Sequence, residues 1–331
     1  MKLGAALLLL LVLPVALAGA APGPSLSDFT TWTTAGSRIA FEASAVGGKR
    51  GYLWVQSFAS TRPRLLRSGA PVGQGQVDQI APGPKGTWGC LERTVGNSES
   101  HYAVDLLSSR GGGTQVATAG GPTGTTGGPP VSSIPQVIGD GSFLGYLYVT
   151  SGGVVQLYQI TPSGHGKRIA NLVGASAPQD VALANGNLAI RELDGTVEVF
   201  TLAGKPLATI KANAASVALA ANRVVVRTRD RRLAVYGLRG GLVHNWRLAA
   251  SSWTVGLAAY GRFAVYLGAN KAVHAVRLSN GRDVIVARAG AGFFFGGVSL
   301  QAPGAVVPLT AQQETTLRFL PTAALAKALG T

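Results

Sequence analysis

The chain has 331 residues, 47% of them hydrophobic and 13% charged, and its 29 Lys and Arg outnumber 14 Asp and Glu for a formal charge of +15. So apolar a composition excludes wholesale disorder, and a single cysteine, Cys90, excludes an intramolecular disulfide. The charge permits contact with nucleic acid, acidic cell-wall polymer or anionic lipid; the plainer reading scatters arginines over solvent-facing strand positions.

Met1 and Lys2 precede an apolar run at 3–17, interrupted by Pro14 and followed by small residues. That order reads as a signal peptide over 1–20. Ala18-Gly19-Ala20 offers the small-x-small cleavage pattern, and Ala16-Leu17-Ala18 is a second option. The run is shorter than the ~20 residues that span a bilayer, and no cysteine follows it to carry a lipid. The reading is therefore export of 21–331 as one domain without a transmembrane anchor.

Residues 29–70 and 71–120 each read as short strands, with GYLWVQSF (51–58) and HYAVDLL (101–107) as the third of each set. Cys90, between Gly89 and Leu91, belongs to an apolar strand and suits a small buried hydrophobe better than a reactive thiolate. Residues 111–130 (GGGTQVATAGGPTGTTGGPP) read as a Gly/Thr/Pro-rich loop, the one clear break in the pattern. The next unit, 131–173, places Gly152-Gly153 at a hairpin and VVQLYQI (154–160) on its third strand.

From here the chain repeats itself. VALANGNLAI (181–190) returns as VALAANRVVV (217–226) and more loosely as GLAAYGRFAV (256–265), at spacings of 36 and 39 residues. The best copy, 176–213, holds two apolar strands about Asn185-Gly186-Asn187, an Asp194-Gly195 hairpin, the alternating TVEVFTL (196–202), a turn and a closing strand. Units 214–250 and 252–290 follow the same order. A shortened copy, 295–321, ends before TAALAKAL (322–329), which reads as a short helix or tail.

Seven units of four strands at this period describe an all-β chain, a seven-bladed β-propeller of four-stranded antiparallel blades, because radial closure removes exposed sheet edges. The last unit lacks a normal fourth strand. Residues 27–31 are expected to supply it and staple the termini.

The string DGTVEVFTLAGKPLATI (194–210) is similar to the second half of a Trp-Asp (WD) repeat, with Phe200 where that family places its tryptophan and Tyr158, Tyr236 and Phe319 as its counterparts. Thr201 replaces the family's aspartate and no Gly-His opens a unit, so the resemblance implies the fold without the family's polar network. LRGGLVHNW (238–246) looks like a quinoprotein-type propeller repeat. Propellers host unrelated activities, so neither likeness assigns a function.

Chemistry is sparse. Glu92, Glu99 and Asp105 fall within one unit, but strand and loop solvation is their expected role. Asp140, Asp194 and Asp230 sit at hairpins. His101, His165, His244 and His274 occupy different places in their units, with no metal-ligand spacing; no metal, cofactor or catalytic residue is expected. No nucleophile elbow occurs. The densest basic cluster is Arg223, Arg227, Arg229, Arg231 and Arg232; on one continuous strand the odd-numbered members share a face and make a stripe for an anion or a partner. A solvated outer edge is the alternative.

The sequence thus reads as an exported binding module without catalytic function, extracellular, cell-wall associated or periplasmic. Its expected partner is another protein or an anionic cell-wall polymer, with nucleic acid unlikely for an exported chain. The rival class is an envelope enzyme, quinone-type or carbohydrate-active.

Overall fold

A computed structural model describes residues 26–27, 31–45, 50–58, 64–71, 76–95, 100–110, 112–119, 135–248, 256–269, 271–311 and 314–331. The signal sequence read at 1–20 lies outside them. Among the described residues no helix is long and apolar enough to cross a membrane.

The strands form seven antiparallel sheets taken in chain order, a seven-bladed β-propeller. One short strand of each sheet lines the centre: Trp32–Ala35, Gln76–Pro82, Gln136–Gly139, Pro178–Ala184, Ala214–Ala220, Leu257–Tyr260 and Ser299–Gln301. Each contacts the inner strand of the next sheet, and the last contacts the first. We call the end where these inner strands begin the entry face and the end where they finish the exit face. Connections between sheets and second-to-third hairpins lie on the entry face. First-to-second and third-to-fourth hairpins lie on the exit face.

Second and third strands read as nearly unbroken apolar runs because neighbouring sheets cover both of their faces. Val224, Val225 and Val226 are all fully buried, as are Ala264, Val265 and Tyr266. The tight first hairpins rest on residues that accept left-handed backbone, such as Asn185 (φ 51) with Gly186 (φ 73). Fourth strands carry a bulge in sheets one to six, opposite Leu53/Trp54, Val104/Asp105, Leu157/Tyr158, Val199/Phe200, Val235/Tyr236 and Val273/His274. Each bulge adds twist at the outer edge.

Four details depart from the sequence reading. Residues 113–119, placed within the low-complexity loop, are the fourth strand of sheet two, Gly113–Ala119. Its β-branched Thr and Val pair with Tyr102–Leu107 despite the flanking glycines. Among the described residues the expected strand exchange at the termini is not present: Leu26 and Ser27 pair with Ala45 and Ser44 of the first sheet, and 28–30 lie outside those residues. Leu26–Ser27 and Trp32–Ala35 both lie along Arg38–Ala45, making a divided inner strand. The last sheet mirrors this, with Phe293–Phe295 and Ser299–Gln301 both on Gly304–Ala311.

Closure comes from side chains instead. Thr34 Oγ1 and Ser299 Oγ share a hydrogen bond. The Gln301 side chain donates to Thr34 O at 3.5 Å, and Phe58 stacks on Phe319 with centroids 4.8 Å apart. The expected terminal helix is present, Thr322–Leu329, closed by Gly330 in left-handed backbone. Its Leu325 and Leu329 pack between sheets six and seven with Phe263, Val265 and Leu300.

The recurrent aromatic position is the third departure. Phe200 directly precedes the residue whose N–H closes the outer hairpin, Thr201 to Lys205 O, and Tyr236 does the same before Gly237. In sheet three that place belongs to Ile160, because Thr161 N–H bonds His165 O. In sheet seven Leu320 opposes Ala305 as Phe200 opposes Leu188. The repeat therefore specifies an apolar side chain here, and Tyr158 and Phe319 do other work. The fourth departure concerns the arginine stripe, described below.

Candidate functional site

Four inner strands frame a cavity of about 290 Å³ at the entry-face mouth of the central channel. Gln79, Gln136 and Asp180 stand at one repeat position, the residue before the inner strand's central apolar pair, and they line the cavity together with Thr31. Ser216 holds the same place in sheet five, opposite Arg227. Trp32 and Gln179 also face the cavity.

These polar side chains stitch sheet to sheet. Gln79 Oε1 accepts Val137 N–H at 2.8 Å, Gln136 Nε2 donates to Pro178 O at 2.8 Å, and Asp180 Oδ2 accepts Val217 N–H at 3.0 Å. Glu42 does the same one strand further out, accepting Val77 N–H at 3.0 Å. Buried backbone donors need such partners where ladders end.

Asp180 is the charged member of the ring. Loss of solvation raises its carboxyl pKa above the ordinary value, while Val217 N–H, Arg191, Val181 N–H and Arg227 pull it back. Arg191 lies opposite Asp180 and Arg227 opposite Ser216, so the two arginines occupy one repeat position. Arg227 is only 2% exposed. Burial lowers its guanidinium pKa, opposed by the neighbouring Tyr266 and Asp180.

Arg227 is thus the member that breaks the proposed stripe. Its strand, Arg223–Thr228, ends in a hairpin, so the run is not continuous. Arg231 takes left-handed backbone (φ 66) and its N–H bonds Thr228 O. Arg223 marks the exit-face end, Arg227 is buried, and Arg229, Arg231 and Arg232 cluster on the entry face. Arg232 pairs with Asp230 at 3.2 Å, and Arg229 donates to Leu193 O at 3.3 Å.

Sequence reasoning missed two features. The first is an exposed apolar group on the entry face of sheets three and four: Val173 at 77%, Leu193 at 65% and Val154 at 42% exposure. Their loops are tied together, since Leu172 N–H bonds Val155 O and Glu192 accepts the amides of Ser176 and Ala177 at 3.2 and 2.5 Å. The loops are short and carry no motif, so only their shared face brings these residues together. The second is a polar network in sheet six. Asp283 accepts Tyr266 Oη at 2.6 Å and lies 2.8 Å from His274 Nδ1, and the two rings stack at 4.8 Å. His274 is 2% exposed, which withholds the imidazole from a substrate and assigns the network to packing.

Among the described residues no group of three or more His, Cys, Asp or Glu is placed to hold a metal. Cys90 is buried on the strand Trp88–Val95. Glu92 and Asp105 lie on adjacent strands of sheet two, Asp105 buried at 4% exposure, while Glu99 lies outside the described residues.

No family model and no curated protein matches the chain. Among solved structures it is similar to the crystal structure of the computationally designed Ika8 protein, with a TM-score of 0.51 and 12% identity over 90% of this chain and 98% of that one. At that identity the likeness establishes the architecture, and the sequence's local likeness to Trp-Asp and quinoprotein repeats stays a likeness.

Proposed function

We propose that this chain is an exported binding module without catalytic function, and that it grips a protein partner with its entry face. The observation that carries this reading is the exposed trio Val154, Val173 and Leu193 beside a channel mouth lined by carboxamides. Apolar side chains surrounded by polar ones mark a surface that another protein covers. Gln79, Gln136 and Gln179 offer amide chemistry suited to a peptide backbone. Arg229, Arg231 and Arg232 border the patch and supply an acid-seeking rim.

The apolar run at 3–17 and the small residues after it support export, with the mature protein in the envelope or outside the cell. Mass measurement of protein recovered from the medium or envelope tests that step: a start near residue 21 supports it, and retention of Met1 inside the cell refutes it.

The binding reading is tested by photo-crosslinking. A reactive residue at Val173 or Leu193 should trap a discrete protein from envelope extract, whereas one at Arg239 on the exit face should not. Equal trapping from both faces, or turnover of a glycan or alcohol substrate without trapping, rejects the proposal.

A further inference from the structure

The two faces differ in charge. On the entry side acids and bases alternate: Arg93 pairs with Asp78 at 3.3 Å, Arg232 pairs with Asp230, and Asp194 lies near Arg229. At the exit face, sheets one to six each place an exposed cation on a hairpin or strand end, Arg38, Lys85, Lys167, Lys205, Arg223 and Arg262 in order. Lys327 on the terminal helix carries the series to sheet seven, and the outer hairpins of sheets two, five and six add Arg110, Arg239 and Arg282.

Among the described residues the acids at this end are Asp140, half-exposed and held within its own hairpin, and Asp283, held in the sheet-six network. Asp140 accepts the amides of Ser142 and Phe143 at 2.9 Å each, and Asp283 binds Tyr266 and His274. Ten exposed cations against these two hydrogen-bonded acids leave the described exit face strongly positive. The same end exposes Leu242 at 57% and Tyr260 at 44%.

We infer that the exit face docks on an anionic lipid surface. The distribution of charge selects this partner over a linear polyanion. A single polymer strand follows a track and meets a few hairpins, while a layer of headgroups meets cations spaced round a whole ring at once. Each Lys or Arg brought within a screening length of an anionic leaflet adds to the attraction. Tyrosine among cations suits the headgroup region, where one end of its ring is apolar and the other wet. Such docking turns the entry face outward, so this inference and the protein-binding proposal stand or fall separately.

The test is sedimentation of the full chain with vesicles of phosphatidylcholine alone or with about 30% phosphatidylglycerol. Two charge-matched variants are compared: Lys205→Glu, Arg223→Glu, Arg239→Glu and Arg262→Glu on the exit face, and Arg229→Glu, Arg231→Glu, Arg232→Glu and Lys271→Glu on the entry face. Every form keeps the apolar residues 3–17, so a difference between the variants reports the faces. The wild type should bind only the anionic vesicles and weaken about tenfold as salt is raised from low to above physiological strength. The exit-face variant should lose that binding and the entry-face variant keep it. If the glutamates disturb folding by circular dichroism, glutamines at the same exit-face positions replace them, with the same expectation. Equal loss in both variants, binding indifferent to phosphatidylglycerol, or binding to soluble heparin but not to vesicles overturns the inference.

Discussion

The seam between sheets four and five and the seam between sheets seven and one solve one problem with different materials. At the first, adjacent copies of a repeat meet in register. Asp180 takes the Val217 amide, Ala214 N–H bonds Gly195 O, and Val197, Val199, Ile210, Val217 and Leu219 fill one cluster. At the second, divided inner strands meet through a neutral hydroxyl pair, Thr34 and Ser299, and an aromatic cluster in which Trp32, Phe58 and Phe319 surround Ile39, Phe41 and Val306. Among the described residues this last joint is held by hydrogen bonds between side chains and by aromatic packing. Repetition sets the interior seams, and the closing seam has to be built from residues that belong to no repeat.

The largest expected effect falls on the repeat seam. Ile210 is 4% exposed in the cluster between sheets four and five. Ile210→Ala should cost about 2–5 kcal/mol, from lost burial and the cavity left behind. Denaturant unfolding checks it, and a single cooperative transition should persist. A loss below about 1 kcal/mol would mean the seam relaxes and the cluster is not the joint described.

Phe319→Ala at the closing seam should cost less, about 2–3 kcal/mol, because the ring is only partly buried and its main partner is the stacked Phe58. Its signature is different. Loss of the stack should expose the strand Glu314–Pro321 and the helix after it to protease while the other sheets resist. Uniform sensitivity of all sheets would erase the distinction between the two seams.

These two seams also show what the sequence made legible. Repeats at 181, 217 and 256 announce period, strand order and blade count because inner and second strands of neighbouring copies face the same surroundings and so select the same residues. Arg191 and Arg227 were legible too, each closing its copy at the same offset, VALANGNLAIR and VALAANRVVVR. Recognising that shared offset would have placed Arg227 inside the ring instead of on a stripe. The Thr34–Ser299 contact had no such signal, since it joins side chains 265 positions apart. The exposed trio of the entry face escaped for the same reason: three loops of unlike sequence become neighbours only once the ring forms.

Glycine substitutions give a smaller, more local contrast. Gly195 sits at φ 88 in the Asp194 hairpin, and a Cβ there would lie 2.9 Å from Ala214 N across the repeat seam. Gly186 has a similar φ of 73 with open space around it. Gly195→Ala should cost about 1–3 kcal/mol and Gly186→Ala about 1 kcal/mol, the first carrying a seam collision and the second backbone strain alone. Equal thermal shifts in the two variants would show that the hairpin gives way without disturbing the seam.

The smallest effect concerns charge at the same two joints. Burial raises the Asp180 carboxyl above its unfolded value even against Arg191 and Arg227. Between the two values the folded state holds more protons than the unfolded one. The stabilising contribution of Asp180 is therefore complete below the ordinary carboxylate range, about pH 3.9, and is lost as pH rises through the raised folded value. Asparagine keeps an oxygen for the Val217 amide without the charge. Asp180→Asn should thus match or exceed the wild type near neutral pH by less than about 1 kcal/mol, and the wild type should gain on the variant as the solution is acidified. Thr34→Val at the closing seam removes a neutral hydroxyl, so its cost should not change with pH. Paired unfolding curves near pH 7 and pH 4 measure both. If Asp180→Asn is clearly less stable at neutral pH and recovers in acid, the two arginines hold Asp180 as a carboxylate, and the repeat seam is an ion-paired joint instead of a hydrogen-bonded one.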